Sequence, residues 1–231
     1  YFKNLKKGKV NAFNYAFQKS SGEIIAFLGG DDFLEKGTLK KRCDLFINNK
    51  ILSETPSVFH HALRTISLNP KYSMQKIPKS SKKGNISGQT STFNRTAANL
   101  IFPIPSELPS EDCWTKLISK YHCNSYIDSE IVVNYRIHNN NSVPRDKSFE
   151  EFDKYLTKRE LAYKLFLKKY PSLSTEILPL IKLSELRQKK QILRIIFTKN
   201  IPIIEKIRTI FFANRKLLKL RSKLFKFLSG W

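Results

Sequence analysis

Apolar residues at Val10, Phe13 and Phe17 recur at the i, i+3, i+7 spacing of a helix that buries one face, and they predict a helix over 9–19. Ser20-Ser21-Gly22 supplies its stop. The consecutive apolar run Ile24 to Leu28 then reads as a short buried strand over 23–28. Helical spacing resumes from Gly37 to Phe46 after a Gly-Gly-Asp-Asp turn. "SVFHHALRT" is strand-like, and "PKSSKKGN" reads as a basic loop. "SEDCWTKLISKY" opens on polar helix-starting residues and continues with Trp114, Leu117, Ile118 and Tyr121 on one face. "SEIVVNYRIH" predicts another strand, closed by the polar turn "NNNS". This alternation predicts an α/β fold, with a mostly parallel sheet flanked by helices.

The pattern changes near residue 147. From there the chain reads as helical, with breaks at Pro171 and Pro202, so a first domain is expected over 1–146 and a basic helical region over 147–231. No acidic residue follows Glu205, whereas eight Lys or Arg do. On a helical wheel Ile207, Phe211, Leu218 and Phe225 share a face, with Arg208, Lys219 and Lys226 nearly opposite. An apolar stripe backed by basic residues is what a helix lying in a membrane surface requires.

Composition sharpens this. With 231 residues, 41% of them hydrophobic, the chain can bury one sizeable core with an appendage. Cys43, Cys113 and Cys123 lack the spacing of a disulfide framework or a zinc site, so a reducing, cytosolic setting is expected. No apolar run approaches the ~20 residues of a membrane span. The net charge of +23 calls for a polyanionic partner, either nucleic acid or an anionic membrane surface.

The chemistry concentrates in "AFLGGDD", residues 26–32. Adjacent carboxylates after a buried strand are either a solvated tight turn or a strand-end site. In the second case glycines let backbone approach a ligand, and a carboxylate holds a divalent cation against a diphosphate. An Asp at a helix start, such as Asp112, is equally an ordinary first-turn acid.

The longer stretch decides between these readings. Gly8-Lys9, Ala12-Phe13-Asn14-Tyr15-Ala16, Gly22-Glu23-Ile24-Ile25 and Gly29-Gly30-Asp31-Asp32 follow one another in order. This run resembles the nucleotide-sugar domain of inverting family 2 glycosyltransferases, which have the GT-A (Rossmann-like) fold. The sequence departs from the family at Gly29, where the first Asp of an Asp-x-Asp pair usually stands; Asp31 matches the second, metal-coordinating one. "SEDCW" resembles the family's Glu-Asp motif, which implies Asp112 as catalytic base, with Glu111 and Trp114 on the acceptor side. "YRIHNNNS" resembles its late Arg-x-His segment, which implies His138 as a second contact to metal or diphosphate. Arg95 is a further acceptor-side candidate. Lys9, Asn11, Gly30, Asp31 and Asp32 are donor-side candidates. His60, His61 and His122 are expected to be structural.

The resemblance spans about residues 4–142 and starts late, so two or three strands carrying the nucleoside-binding part are expected ahead of the point matching Tyr1. It implies transfer of a sugar from a nucleotide-sugar to a saccharide or lipid-linked acceptor with inversion, assisted by Mg²⁺ or Mn²⁺. It also implies cell-surface polysaccharide or lipopolysaccharide biosynthesis, on the cytoplasmic side of a bacterial membrane and peripheral to its inner leaflet through residues 203–228. The alternatives are a catalytically inactive membrane-surface scaffold and a basic nucleic-acid-binding protein. The second of these calls for aromatics interleaved with basic residues in a recognisable module, and the charge here gathers in the tail instead.

Overall fold

The computed structural model describes residues 3–51, 55–80, 82, 84–85, 87–138, 141 and 148–221. The chain divides into two compact units, Tyr1–Pro144 and Arg145–Trp231.

The first unit carries helices α1 (Lys9–Gln18), α2 (Thr38–Asn48), α3 (Arg95–Ile101) and α4 (Asp112–His122). Its strands are β1 (Ile24–Ala26), β2 (Phe33–Leu34), β3 (Ser57–Ser67), β4 (Lys76–Ile77), β5 (Ser91–Asn94) and β6 (Asn124–Ile137). They form one sheet in the order β1-β5-β3-β6-β2, with β4 added beside β3.

The α/β class and the flanking helices are as expected, but the sheet is not mostly parallel. Among the described residues only the β3–β6 pairing is parallel; the other four are antiparallel. Strand β5 comes late in the chain yet inserts between β1 and β3, running against both. Alternating strand and helix signals reveal the layers but not which strands become neighbours.

Rings pack against both faces of the sheet: Phe93 pairs with Val58, and Phe59, the next residue along β3, points the other way. Phe27 lies 4.9 Å from Phe13 of α1, 5.6 Å from Phe93 of β5 and 5.6 Å from Phe102. Phe46 of α2 packs edge-on to Phe59 of β3. Close offset or edge-to-face aromatic contacts add to the gain from burial alone. Asn14, inside the Ala-x-Asn stretch, accepts from the Ile104 N–H and donates to the Ile104 carbonyl, each at 2.8 Å. It therefore acts as a backbone-like clip between α1 and the segment after α3. Asn94 is wholly buried, caps α3 through Ala97 N, and accepts from Ser57 N.

The second unit is helical: α5 (Phe149–Lys169), α6 (Ser174–Gln188), α7 (Ile192–Ile196) and α8 (Ile203–Phe211), then helical residues 215–221. Helix α5 starts with a complete capping box between Ser148 and Glu151. Buried Arg187 of α6 is held by Asp153, Thr157 and Glu160 of α5.

The expected single amphipathic helix through the tail is interrupted. Helix α8 ends at Phe211, Ala213 is buried in the turn, and the Asn214 side chain accepts from Leu217 N at 2.9 Å to cap the next helical stretch. The stripe from Ile207 to Leu218 thus crosses a break, and Phe225 and Lys226 lie outside the described residues. Among the described residues no helix is long and apolar enough to cross a membrane.

Candidate active site

The register of β2 against β6 builds the centre of the site. Phe33 pairs with Asn134 and Leu34 with Val133, running antiparallel. The residues just before Phe33 must therefore meet those just after Asn134, which brings Asp31 and Asp32 to Arg136 and His138. The His138 Nε2 lies 3.0 Å from Asp31 Oδ2. The Arg136 N–H donates to Asp32 Oδ1 at 2.7 Å. Asn141 secures the turn: its Oδ1 accepts from His138 N at 2.6 Å and its Nδ2 donates to the Arg136 carbonyl at 3.0 Å.

Asp31 and Asp32 are adjacent but differ in setting. Asp31 is 44% exposed and faces outward. Asp32 is buried, and its Oδ2 has no hydrogen bond of normal geometry. Burial raises the Asp32 carboxyl above its ordinary value, opposed by the Arg136 N–H and the neighbouring Gln89 side chain, with the charge of Asp31 adding to the rise.

Gly29 explains how both carboxylates fit here. A Cβ at this position would lie 2.9 Å from both Asp31 Oδ1 and Asp32 Oδ2, and 3.1 Å from Gln89 Nε2. The departure from Asp-x-Asp thus leaves the space into which the other two carboxylates lean. At Gly30 a Cβ would meet nothing within 4 Å.

A second group lies at the start of α4. Glu111 is 1% exposed, and Lys9 Nζ, from the first turn of α1, reaches its Oε1 at 2.9 Å. Its Oε2 is buried without a hydrogen bond. Gly88 permits this arrangement, since a Cβ there would stand 2.6 Å from Glu111 Oε1 and 2.7 Å from the Phe27 ring. Burial raises the Glu111 carboxyl, Asp112 raises it further, and Lys9 holds it down. Asp112 is the first residue of α4, with Ser110 Oγ 3.5 Å from its Oδ2.

Tyr135 of β6 links the two groups. Burial raises its phenol, and the charges of Asp32, Asp31 and Asp112 each push it further up. All three carboxylates therefore act on one half-buried ring.

Other candidates lie elsewhere. Trp114 is buried and donates to the Ile101 carbonyl at 2.8 Å, which makes it a core residue and removes it from the acceptor side. Arg95 is engaged with the Gly22 carbonyl and Ser20 Oγ and lies over the Phe17 ring, away from the carboxylates. Asn11 donates to the Lys7 carbonyl. His60 and His61 are buried, bonded to Ser91 and to Asp128 and Thr92. Gln89, Gly88, Tyr135 and Asn141 were not singled out from the sequence. Only Asn141, three residues after His138 in an Asn-rich turn, carries a local signal.

Among the described residues no group of three or more His, Cys, Asp or Glu side chains is arranged to hold a metal ion. The arrangement that is present is an outward carboxylate–imidazole pair, with a second acidic centre beside it. That combination suits an anionic ligand brought in with a cation, and a hydroxyl that must lose a proton.

Residues 1–103 match the model of the glycosyl transferase family 2 family. Among solved structures, the crystal structure of TarS from S. aureus aligns at a TM-score of 0.45 and 17% identity, over 90% of this chain and 36% of that one. The chain thus spans little more than a third of the TarS length. No curated protein matches it.

Proposed function

We propose that this protein transfers a sugar from a nucleotide-sugar donor to a saccharide or lipid-linked acceptor, with inversion at the anomeric carbon, in a GT-A arrangement. The observation that carries this reading is the meeting of Asp31 with His138, in a chain whose first 103 residues match the model of glycosyl transferase family 2. Asp112 is the general base and takes the proton of the acceptor hydroxyl as that oxygen attacks the sugar. Asp31 and His138 would be the residues that hold Mg²⁺ or Mn²⁺. When bound, the cation neutralises charge on the departing nucleoside diphosphate. Asp32 stays behind the pair and fixes the β6 end through Arg136 N. Lys9 opposes the rise of the Glu111 carboxyl and holds it in place, and Glu111 steadies the start of the helix that carries Asp112.

The setting proposed is cell-surface polysaccharide biosynthesis at the inner leaflet of a bacterial membrane. The basic residues of 203–228 attract anionic lipid by roughly 1 kcal/mol each. Nucleic acid is not the expected partner. The expected result is that Asp112→Asn in the complete enzyme lowers transfer at least about 100-fold while donor binding persists. Near-normal transfer would remove Asp112 from the role of base. A second reading, an inactive membrane-surface scaffold, is favoured by Gly29, which leaves the metal one carboxylate short. It calls for vesicle binding with no metal-dependent donor binding.

A further inference from the structure

The second unit presents an apolar face that its own core does not use. Within α7 and the start of α8, Ile195 packs inward against Leu183 and Leu186, with Ile201 and Ile210 beside them. The residues pointing the other way are Leu193, Ile196 and Phe197 from α7 and its end, and Ile203, Ile204 and Ile207 from α8. Their spacings, i, i+3, i+4 and i, i+1, i+4, put each trio on one helical face. The two trios are held together because Lys206 Nζ of α8 donates to the Ile196 carbonyl at 3.0 Å. Exposure is high at the tip, 78% for Phe197 and 74% for Ile203. Six large apolar side chains gathered at one hairpin mark an interaction surface, not the scatter of single exposed residues found on any protein.

The charges around this face indicate what covers it. From Lys189 to Ile204 there is no acidic residue, while Lys190, Arg194 and Lys199 are exposed around the trios. Glu205, the first acid after them, faces Arg208 at 3.9 Å. An apolar tip rimmed by cations complements the headgroup and upper acyl region of an anionic bilayer, whereas Lys is depleted at protein interfaces. We propose that the α7–α8 hairpin is a membrane-inserting wedge: Phe197, Ile203 and their neighbours enter the interface of an anionic leaflet, and the surrounding Lys and Arg hold the phosphates. This rests on the membrane reading above but centres the contact on the α7–α8 hairpin, which only overlaps the start of residues 203–228, and makes it insertion, not adhesion by charge alone.

The test uses the whole chain with vesicles of phosphatidylcholine containing phosphatidylglycerol, and with phosphatidylcholine alone. Phe197→Trp should show a blue-shifted emission on the anionic vesicles and quenching by brominated lipid, read as the difference from the unmodified chain. A Phe197→Asn, Ile203→Asn variant alters only exposed side chains and should keep its circular dichroism. Its partitioning onto anionic vesicles should fall at least about 30-fold. Salt-sensitive binding that the double variant retains, with no quenching, would overturn the wedge and leave the membrane reading standing. No binding to anionic vesicles by the unmodified chain would overturn both. Self-association abolished by the double variant, without vesicle binding, would make the face a contact between copies and also overturn the proposal.

Discussion

Replacing Lys9 with methionine keeps most of the side-chain stem and removes the charge facing Glu111. Glu111 stays 1% exposed with one oxygen newly without its 2.9 Å cation and the other already without a hydrogen bond. Breaking a buried pair from one side costs roughly 3–5 kcal/mol, because an uncompensated charge is left behind. Lys9 is 34% exposed, so water already screens part of the attraction, and about 2 kcal/mol at neutral pH is expected. The loss should depend on pH with a definite sign. Burial and Asp112 hold the Glu111 carboxyl above its ordinary 4.5 in the folded state. The native state therefore binds this proton more tightly than the unfolded chain, and the contribution of Glu111 to stability declines as pH rises through the folded-state value. Lys9 opposes that rise. Without it, the deficit should be small in acid below about pH 4.5 and grow toward neutrality. Urea unfolding followed by Trp114 fluorescence, in a Trp231→Phe background, measures it across this range. A second change, Glu111→Gln, should restore most of the loss. A deficit equal at every pH, or below about 0.5 kcal/mol at pH 7, would refute the argument.

Three further outcomes follow from the same geometry. Gly29→Ala puts a methyl against Asp32, which the Arg136 N–H fixes in place, so a loss of about 1–3 kcal/mol in thermal melting is expected, and a neutral variant would contradict the close approach. His60 is buried with its pKa pushed down to about 4 from 6.5, so stability should fall as pH drops through that interval, by about 3 kcal/mol at most. In His60→Gln that part of the acid slope should vanish; an unchanged slope would exclude it. Arg187→Met strands Glu160 and Asp153 against α6 and should cost about 3 kcal/mol in the second unit, read by helical circular dichroism; a loss under about 0.5 kcal/mol would show that the network contributes little.

Local pattern made a good part of this legible. The stripe of Val10, Phe13 and Phe17 became α1, and the apolar run after Glu23 became β1. The polar opening before Trp114 became the start of α4, with Trp114, Leu117 and Ile118 inside. What stayed hidden depends on pairing between distant segments. Nothing local to "AFLGGDD" shows that β2 pairs with β6 in the register that delivers His138 to Asp31. Nothing near Lys9 shows that its ammonium crosses to Glu111, or that Gly88 is small because Glu111 and Phe27 press on it. The tail failed for another reason. A helical wheel assumes an unbroken helix, and Asn214 starts a new one.

The most direct test of the site is binding of a nucleoside diphosphate with Mn²⁺, followed by calorimetry and by the Mn²⁺ electron paramagnetic resonance signal. The account predicts binding that requires the metal and weakens at least about tenfold in Asp31→Asn and in His138→Ala, with Asp112→Asn close to the unmodified chain. Equal metal-dependent binding in all four proteins would contradict the Asp31–His138 assignment at its root.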